Sequence, residues 1–279
     1  MTVLGVHLMN GSLPIPTGKP GRLAWNILFP ALILSLSTMS ARPLSAIQNN
    51  RELYQLEAVR VPEGPIIDGS MEDAVWQRAP VIDQFIQQEP AEGAPATERT
   101  EVRVLYDESN LYVGVRAFDS ESNAIIASEM RRDSDRLLDE DNFQIILDTF
   151  NDSRSAYMFV TSPLGAKLEQ QIFEEGEGGR RGFTTNNNVN RNWDGVWYVS
   201  TRQLSDGWMA EIAIPMVTVR FPDADRQDWG LNFMRNIRRK NEQVFWAPIP
   251  RAYSLTRVSL AGSLTDLESL DRGLDLRIK

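Results

Sequence analysis

Cysteine is absent from this sequence, and only one histidine occurs, His7. Without cysteine there is no thiol nucleophile, no disulfide staple, no thiolate-bound zinc and no iron–sulfur cluster. Acidic residues are missing from the first 46 positions, where Lys19 and Arg22 precede an apolar run from Leu23 to Leu36 and small residues follow at Ser40-Ala41 and Ser45-Ala46. A basic start, an apolar stretch and a small-residue exit are the layout of a secretory signal. The run is interrupted by Asn26 and Pro30, and it is shorter than the roughly 20 apolar residues of a spanning helix. Residues 1–46 are therefore expected to be a cleaved export signal. Its loss removes His7, so a mature chain has no imidazole for a Ser–His or Cys–His pair, for zinc or for haem. Lysine is scarce as well, with only Lys167, Lys240 and Lys279 beyond the leader. Proton-transfer chemistry is left to Asp, Glu and Tyr.

What is present is an ordinary apolar share, 42%, and an acidic balance of −9 from 29 basic and 38 acidic residues. Without Lys19, Arg22 and Arg42 the balance becomes 26 − 38, or −12. An acidic surface argues against nucleic acid as a partner, because phosphate backbones need a basic face. No phosphate-binding loop stands out, since Gly176-Glu-Gly-Gly lacks the Lys-Ser/Thr that would follow.

After a polar lead-in at 47–62, Asp68-Gly69 predicts a turn, and Ser70 with Asp73 predicts a capping box on a short helix carrying Val75, Trp76 and Ala79. The Pro- and Gly-punctuated stretch 84–100 reads as a loop. Beyond it the period is two. Val102, Val104 and Tyr106, then Leu111, Val113, Val115 and Ala117, alternate with polar neighbours across the turn Asp107–Asn110, which predicts an antiparallel hairpin. Further strands are expected at 142–149, 156–161, 167–173, 196–203, 208–214, 230–239 and 243–247, with one helical turn at 215–221. The expected fold is all-β: an antiparallel β-sandwich, jelly-roll or immunoglobulin-like, with a few short helical turns. Residues 63–262 would form it, and 263–279 a C-terminal tail. Residues 174–195 read as a long polar loop, a common place for function.

Three groups of residues invite chemistry. Trp193 and Trp197 lie in Asn190-Arg-Asn-Trp-Asp-Gly-Val-Trp197, where an indole beside Asn and Arg suits a sugar ring: the flat face stacks and the polar neighbours bind hydroxyls. Trp76, Trp208 and Trp229 are expected in the core. Asp133, Asp135, Asp139, Glu140 and Asp141, with Asp148 beyond, could hold calcium. Their spacing is not that of an EF-hand, and a solvated loop neutralised by Arg131, Arg132 and Arg136 is the plainer reading. Glu169, Glu174, Glu211, Asp194 and Asp148 are all available for a glycosidase pair, but no spacing selects one.

Five motifs occur in order: Ile67–Trp76, Arg99–Asp107, Leu111–Arg116, Gly207–Pro215 and Trp229–Phe233. Together they resemble the family 9 carbohydrate-binding module, in the variant form found at the N-terminus of exported bacterial outer-membrane-associated proteins. The resemblance implies a non-catalytic β-sandwich that grips an oligo- or polysaccharide between aromatic rings, with structural calcium in some members, for which Asp139, Asp141 and Asp148 are the candidates here. It also implies an Asn three residues before a stacking Trp, matched by Asn190 and Trp193, and an Arg after the second strand, matched by Arg131 or Arg132. A second aromatic is expected before the first hairpin, where Phe85 is the one large ring between Trp76 and Tyr106. In longer relatives an outer-membrane β-barrel follows, and residues 267–279 resemble the start of a barrel-entry segment, so the resemblance implies a shortened or fragmentary member with a periplasmic or outer-membrane location. The alternatives are a structural or interaction domain of an outer-membrane protein without sugar binding, or an accessory part of a glycoside hydrolase.

Overall fold

Alternation of apolar and polar side chains decides the architecture. The computed structural model describes residues 49–176 and 188–273. The expected leader, residues 177–187 of the polar loop and 274–279 of the tail lie outside the described residues. In chain order the strands are β1 (Gln55–Glu57), β2 (Val59–Arg60), β3 (Ile86–Glu89), β4 (Thr100–Tyr106), β5 (Asn110–Phe118), β6 (Asn142–Asp148) and β7 (Ala156–Thr161). They continue as β8 (Lys167–Ile172), β9 (Val189–Asn190), β10 (Tyr198–Leu204), β11 (Gly207–Pro215), β12 (Arg226–Ile237), β13 (Glu242–Phe245) and β14 (Gly262–Glu268). One sheet, A, runs β1-β14-β12-β6-β7-β8-β9, with β13 pairing both β12 and β3; the other, B, runs β10-β11-β5-β4-β2. Two short pairings, β1 with β14 and β2 with β4, are parallel, and the rest are antiparallel.

The period-two residues meet between the sheets. Val102, Val104, Val113, Val115 and Ala117 of the hairpin face Phe143, Ile145, Phe159, Leu231 and Phe233 in one core cluster, which also takes in Trp208 and Trp229. The outer faces are covered too. On sheet A, Ile146, Met158, Val160 and Phe245 lie under Leu137, Ile249, Leu255 and Val258 from irregular segments. On sheet B, Leu105, Tyr112 and Ala213 lie under Val61, Trp76 and Ala79.

That cover on sheet B is anchored by one buried carboxylate. Glu211 accepts the Trp76 indole N–H at 2.7 Å and the Gly69 amide at 2.7 Å. Gly69 turns with φ +85°, a conformation that disfavours any side chain. The expected capping box is not formed. Asp73 instead accepts the Ile66 amide at 2.7 Å, and Ala74–Arg78 is a 3-10 helix. The 84–100 loop contains a strand, β3, because β13 offers it a free edge. The helical turn expected at 215–221 is a 3-10 turn, Met216–Thr218. Among the described residues no helix is long and apolar enough to cross a membrane.

Candidate functional site

Along β8, Lys167, Glu169 and Gln171 alternate with Leu168, Gln170 and Ile172. The apolar members of the second set join the outer cluster of sheet A, and the first set shares its face with Tyr157 and Phe159. This leaves a polar row at the rim of the sandwich. The chain crosses that rim between β9 in sheet A and β10 in sheet B, through residues 191–197. Asn190 starts the crossing: its side-chain amide donates to Gln171 Oε1 at 3.1 Å, and its Oδ1 accepts the Asn192 amide at 3.2 Å.

Trp193 then lies against Tyr157 and Phe159, with ring centroids 4.9 and 5.8 Å away. One side of the indole is thus backed by the core while the residue stays partly exposed. Gly195 makes room for it, since a Cβ there would sit 2.7 Å from the end of the six-membered ring. Val196 points outward and Trp197 inward. Trp197 is 1% exposed, packs edge-on to Phe159 at 5.4 Å and donates its indole N–H to Glu169 Oε2 at 2.9 Å. It is a core residue and offers no face to a ligand, which corrects its expected role.

Glu169 links the crossing segment to a distant loop. Its other oxygen accepts from the Arg132 guanidinium, which also binds Asp194 at 2.5 Å and the Gly195 carbonyl at 3.1 Å. Lys167 completes the group: its ammonium donates to the Trp197 carbonyl at 2.9 Å and lies 5.2 Å from that ring. Burial, aided by the nearby Arg132 charge, pushes the Lys167 pKa below its ordinary value. Arg132, Asn190 and Trp193 therefore come together on one rim. Arg131 does not join them, because Glu129 takes its guanidinium at 2.9 and 3.1 Å.

Two further expectations are corrected. Phe85 is 2% exposed and belongs to the central core. It precedes β3, four strand neighbours from the β7 rings that carry Trp193, or roughly 19 Å across the sheet. No opposing half of an aromatic clamp comes from it. The calcium set is also scattered. Asp141 and Asp148 bracket β6, roughly 23 Å apart along an extended strand. Asp141 accepts the Ile126 amide at 2.8 Å, Asp148 binds Arg51 at 2.6 Å and the Ser153 amide at 2.8 Å, and Asp139 is exposed. Among the described residues no group of three or more His, Cys, Asp or Glu side chains is placed to hold a metal ion. These residues do not fit calcium, and no role for it follows.

Glu169 and Lys167 were not singled out together from sequence. Their signal was the alternation of β8, which puts a lysine, a glutamate and a glutamine in a row on one face. Of the carboxylates available for a hydrolytic pair, Glu211, Glu169 and Asp148 are occupied in holding the fold.

The comparisons bear on this architecture directly. The model of the "Carbohydrate family 9 binding domain-like" family matches residues 67–245, well over half of the chain. A family 9 carbohydrate-binding module from Caldicellulosiruptor kristjanssonii, solved with cellotriose, is 16% identical, with a TM-score of 0.53 over 81% of this chain and 97% of that one. A family 9 carbohydrate-binding module from the same organism, solved with glucose, is also 16% identical, with a TM-score of 0.53 over 81% of this chain and 100% of that one. A candidate carbohydrate-binding protein from Bacteroides uniformis is 12% identical, with a TM-score of 0.55 over 76% and 97%. A search of curated proteins finds no match. The solved structures share the fold at low identity, and the family match over residues 67–245 establishes the rest: the chain belongs to the carbohydrate family 9 binding domain-like family.

Proposed function

We propose that the protein is an exported, non-catalytic carbohydrate-binding module whose ligand stacks on Trp193. One observation carries the reading. Of the six tryptophans among the described residues, five are buried, none more than 7% exposed, and Trp193 is the one that is partly exposed. An aromatic face backed by Tyr157 and Phe159 is rigid, so little freedom is lost when a ring settles on it. Asn190 and Arg132, held on the same rim, supply the hydroxyl-directed contacts. The relatives solved with cellotriose and glucose support a neutral glucan as the first ligand class to test.

Isothermal titration of the mature domain with cellotriose tests this. Binding is expected, and Trp193→Ala is expected to weaken it by about 1–3 kcal/mol, as loss of an aromatic anchor does. No heat with cellotriose or with any of a panel of soluble glycans rejects the reading.

A second reading is favoured by the burial of Phe85 and Trp197, which leaves one aromatic half-site where a clamp would need two. In it the module serves as an interaction domain of an outer-membrane assembly. Periplasmic or outer-membrane location, read by fractionation, belongs to both proposals. Co-fractionation with a β-barrel, in a protein that binds no glycan, selects the second.

A further inference from the structure

Buried polar side chains nearly always find hydrogen-bond partners, so those with none inside the protein mark a place where a bound molecule or ion supplies them. Seven buried side-chain atoms among the described residues have none: Arg51 Nε, Asp119 Oδ2, Asp141 Oδ1, Thr161 Oγ1, Trp208 Nε1, Arg235 Nε and Arg239 Nε. Six of them, all but Arg51 Nε, belong to one end of the sandwich. In sheet A, Thr161 pairs with Phe143, and Phe143 with Arg235. In sheet B, Trp208 pairs with Ala117, and Ala117 with Thr100. Arg235 joins the two rows across the core. Its guanidinium donates to Thr100 Oγ1 at 3.1 Å and to the Phe118 carbonyl at 2.7 Å, and stands 3.8 Å from Asp119 Oδ2. Asp119 follows β5, Asp141 precedes β6 and Arg239 lies beyond β12, so all three close this same end. Arg51 sits at the other, against Asp148.

We infer that this end of the sandwich encloses a bound cluster of about two ordered water molecules, bridging Asp119 Oδ2, Asp141 Oδ1 and the Arg235 Nε–H, with Thr161, Trp208 and Arg239 on its walls. The number follows from the unpartnered set, since a buried water typically makes about three hydrogen bonds and six atoms need partners. The chemical class follows from the mixture. Trp208, Arg235 and Arg239 each present an N–H donor, Asp119 and Asp141 present acceptors, and the Thr161 hydroxyl does either. A cation would satisfy only the acceptors and would lie beside the Arg235 guanidinium. An anion would satisfy only the donors and would face two carboxylates. Water both donates and accepts, and it needs no third carboxylate, which is consistent with the lack of a metal-holding group among the described residues.

The test is water-selective NMR on the nitrogen-15-labelled mature chain. Cross-relaxation from long-lived water is expected at both the Trp208 indole N–H and the Arg235 Nε–H, unchanged after dialysis against EDTA. A missing water cross-peak at either proton overturns the inference. So does a stoichiometric metal ion whose removal by EDTA shifts those two signals, because that would make the site a cation site. A high-resolution crystal structure provides the independent count: about two waters within hydrogen-bond distance of Asp119 Oδ2 and Asp141 Oδ1 supports the cluster, and a direct contact between those two carboxyl groups refutes it.

Discussion

At the scale of single residues, Glu169 holds the crossing segment in place. Its side chain is sealed from solvent, yet both oxygens have donors, one from the Trp197 indole and one from Arg132. Removing one partner of a fully sealed ion pair costs about 3–5 kcal/mol. Arg132 is 42% exposed and keeps Asp194, so it can turn to water when Glu169 is gone. The dominant loss is then the stranded indole N–H, about 1–3 kcal/mol. Glu169→Met is expected to lower stability by that smaller amount in urea unfolding, and a loss above 4 kcal/mol would show that Arg132 is less free than its exposure implies. Gly195 makes a separate prediction. Gly195→Ala places a methyl 2.7 Å from the Trp193 ring and 3.2 Å from Thr218, and the indole is what must move. Cellotriose affinity should fall toward that of Trp193→Ala, while the urea midpoint changes little. Unaltered affinity would mean that the orientation of Trp193 does not matter to the ligand.

Among the elements, the segment covering sheet B depends on a single acceptor. Glu211 is reached by the Trp76 indole and by the amides of Asp68 and Gly69, at 2.7, 3.0 and 2.7 Å. Glu211→Ala strands these donors and should cost about 3 kcal/mol or more, with hydrogen exchange rising across residues 66–76 before the β4–β5 hairpin. That hairpin was legible in the sequence, because alternation over seven and nine residues leaves one register that buries every valine. The strands β1, β2, β3, β9 and β14 were not: 47–62 read as a polar lead-in and 263–279 as a tail. Each owes its conformation to an edge offered from elsewhere in the chain: β14 for β1, β4 for β2, β13 for β3, β8 for β9 and β12 for β14. The site divides in the same way. Trp193 and Asn190 stood out by composition, but residue type alone cannot separate a rim indole from a core one, and Trp197 and Phe85 went the other way. Arg132 entered as a site residue through resemblance to a family, and Glu169, one of several unselected carboxylates in the sequence, gained its place when β8 brought its row beside the crossing segment.

For the molecule as a whole, the charged end of the sandwich sets its response to acid. Burial pushes the Glu98 carboxyl up, but hydrogen bonds from Lys240, Ser120 and Arg239 outweigh it and bring the pKa down to about 2. A folded value below the unfolded one stabilises the native state above the unfolded pKa, near 4.5, and that contribution disappears as pH falls from there toward 2. Asp141 works in the opposite sense. Burial, reinforced by the charge of Asp119, raises its pKa, so its ionised form weighs against folding and that penalty is relieved on acidification. The two side chains close the same end of the sandwich, and Arg235 and Arg239 bridge the acids there. Glu98→Gln should therefore flatten the fall of the urea midpoint between about pH 4.5 and 2, whereas Asp141→Asn should raise the midpoint at neutral pH and remove the relief that Asp141 gives on acidification, an effect confined to pH values above its unfolded pKa of 3.8. Urea titrations of the parent and both variants from about pH 7 down to 2 decide the matter: parallel pH profiles for all three would show that neither carboxyl shifts on folding, and that the acid response arises from the acidic surface at large.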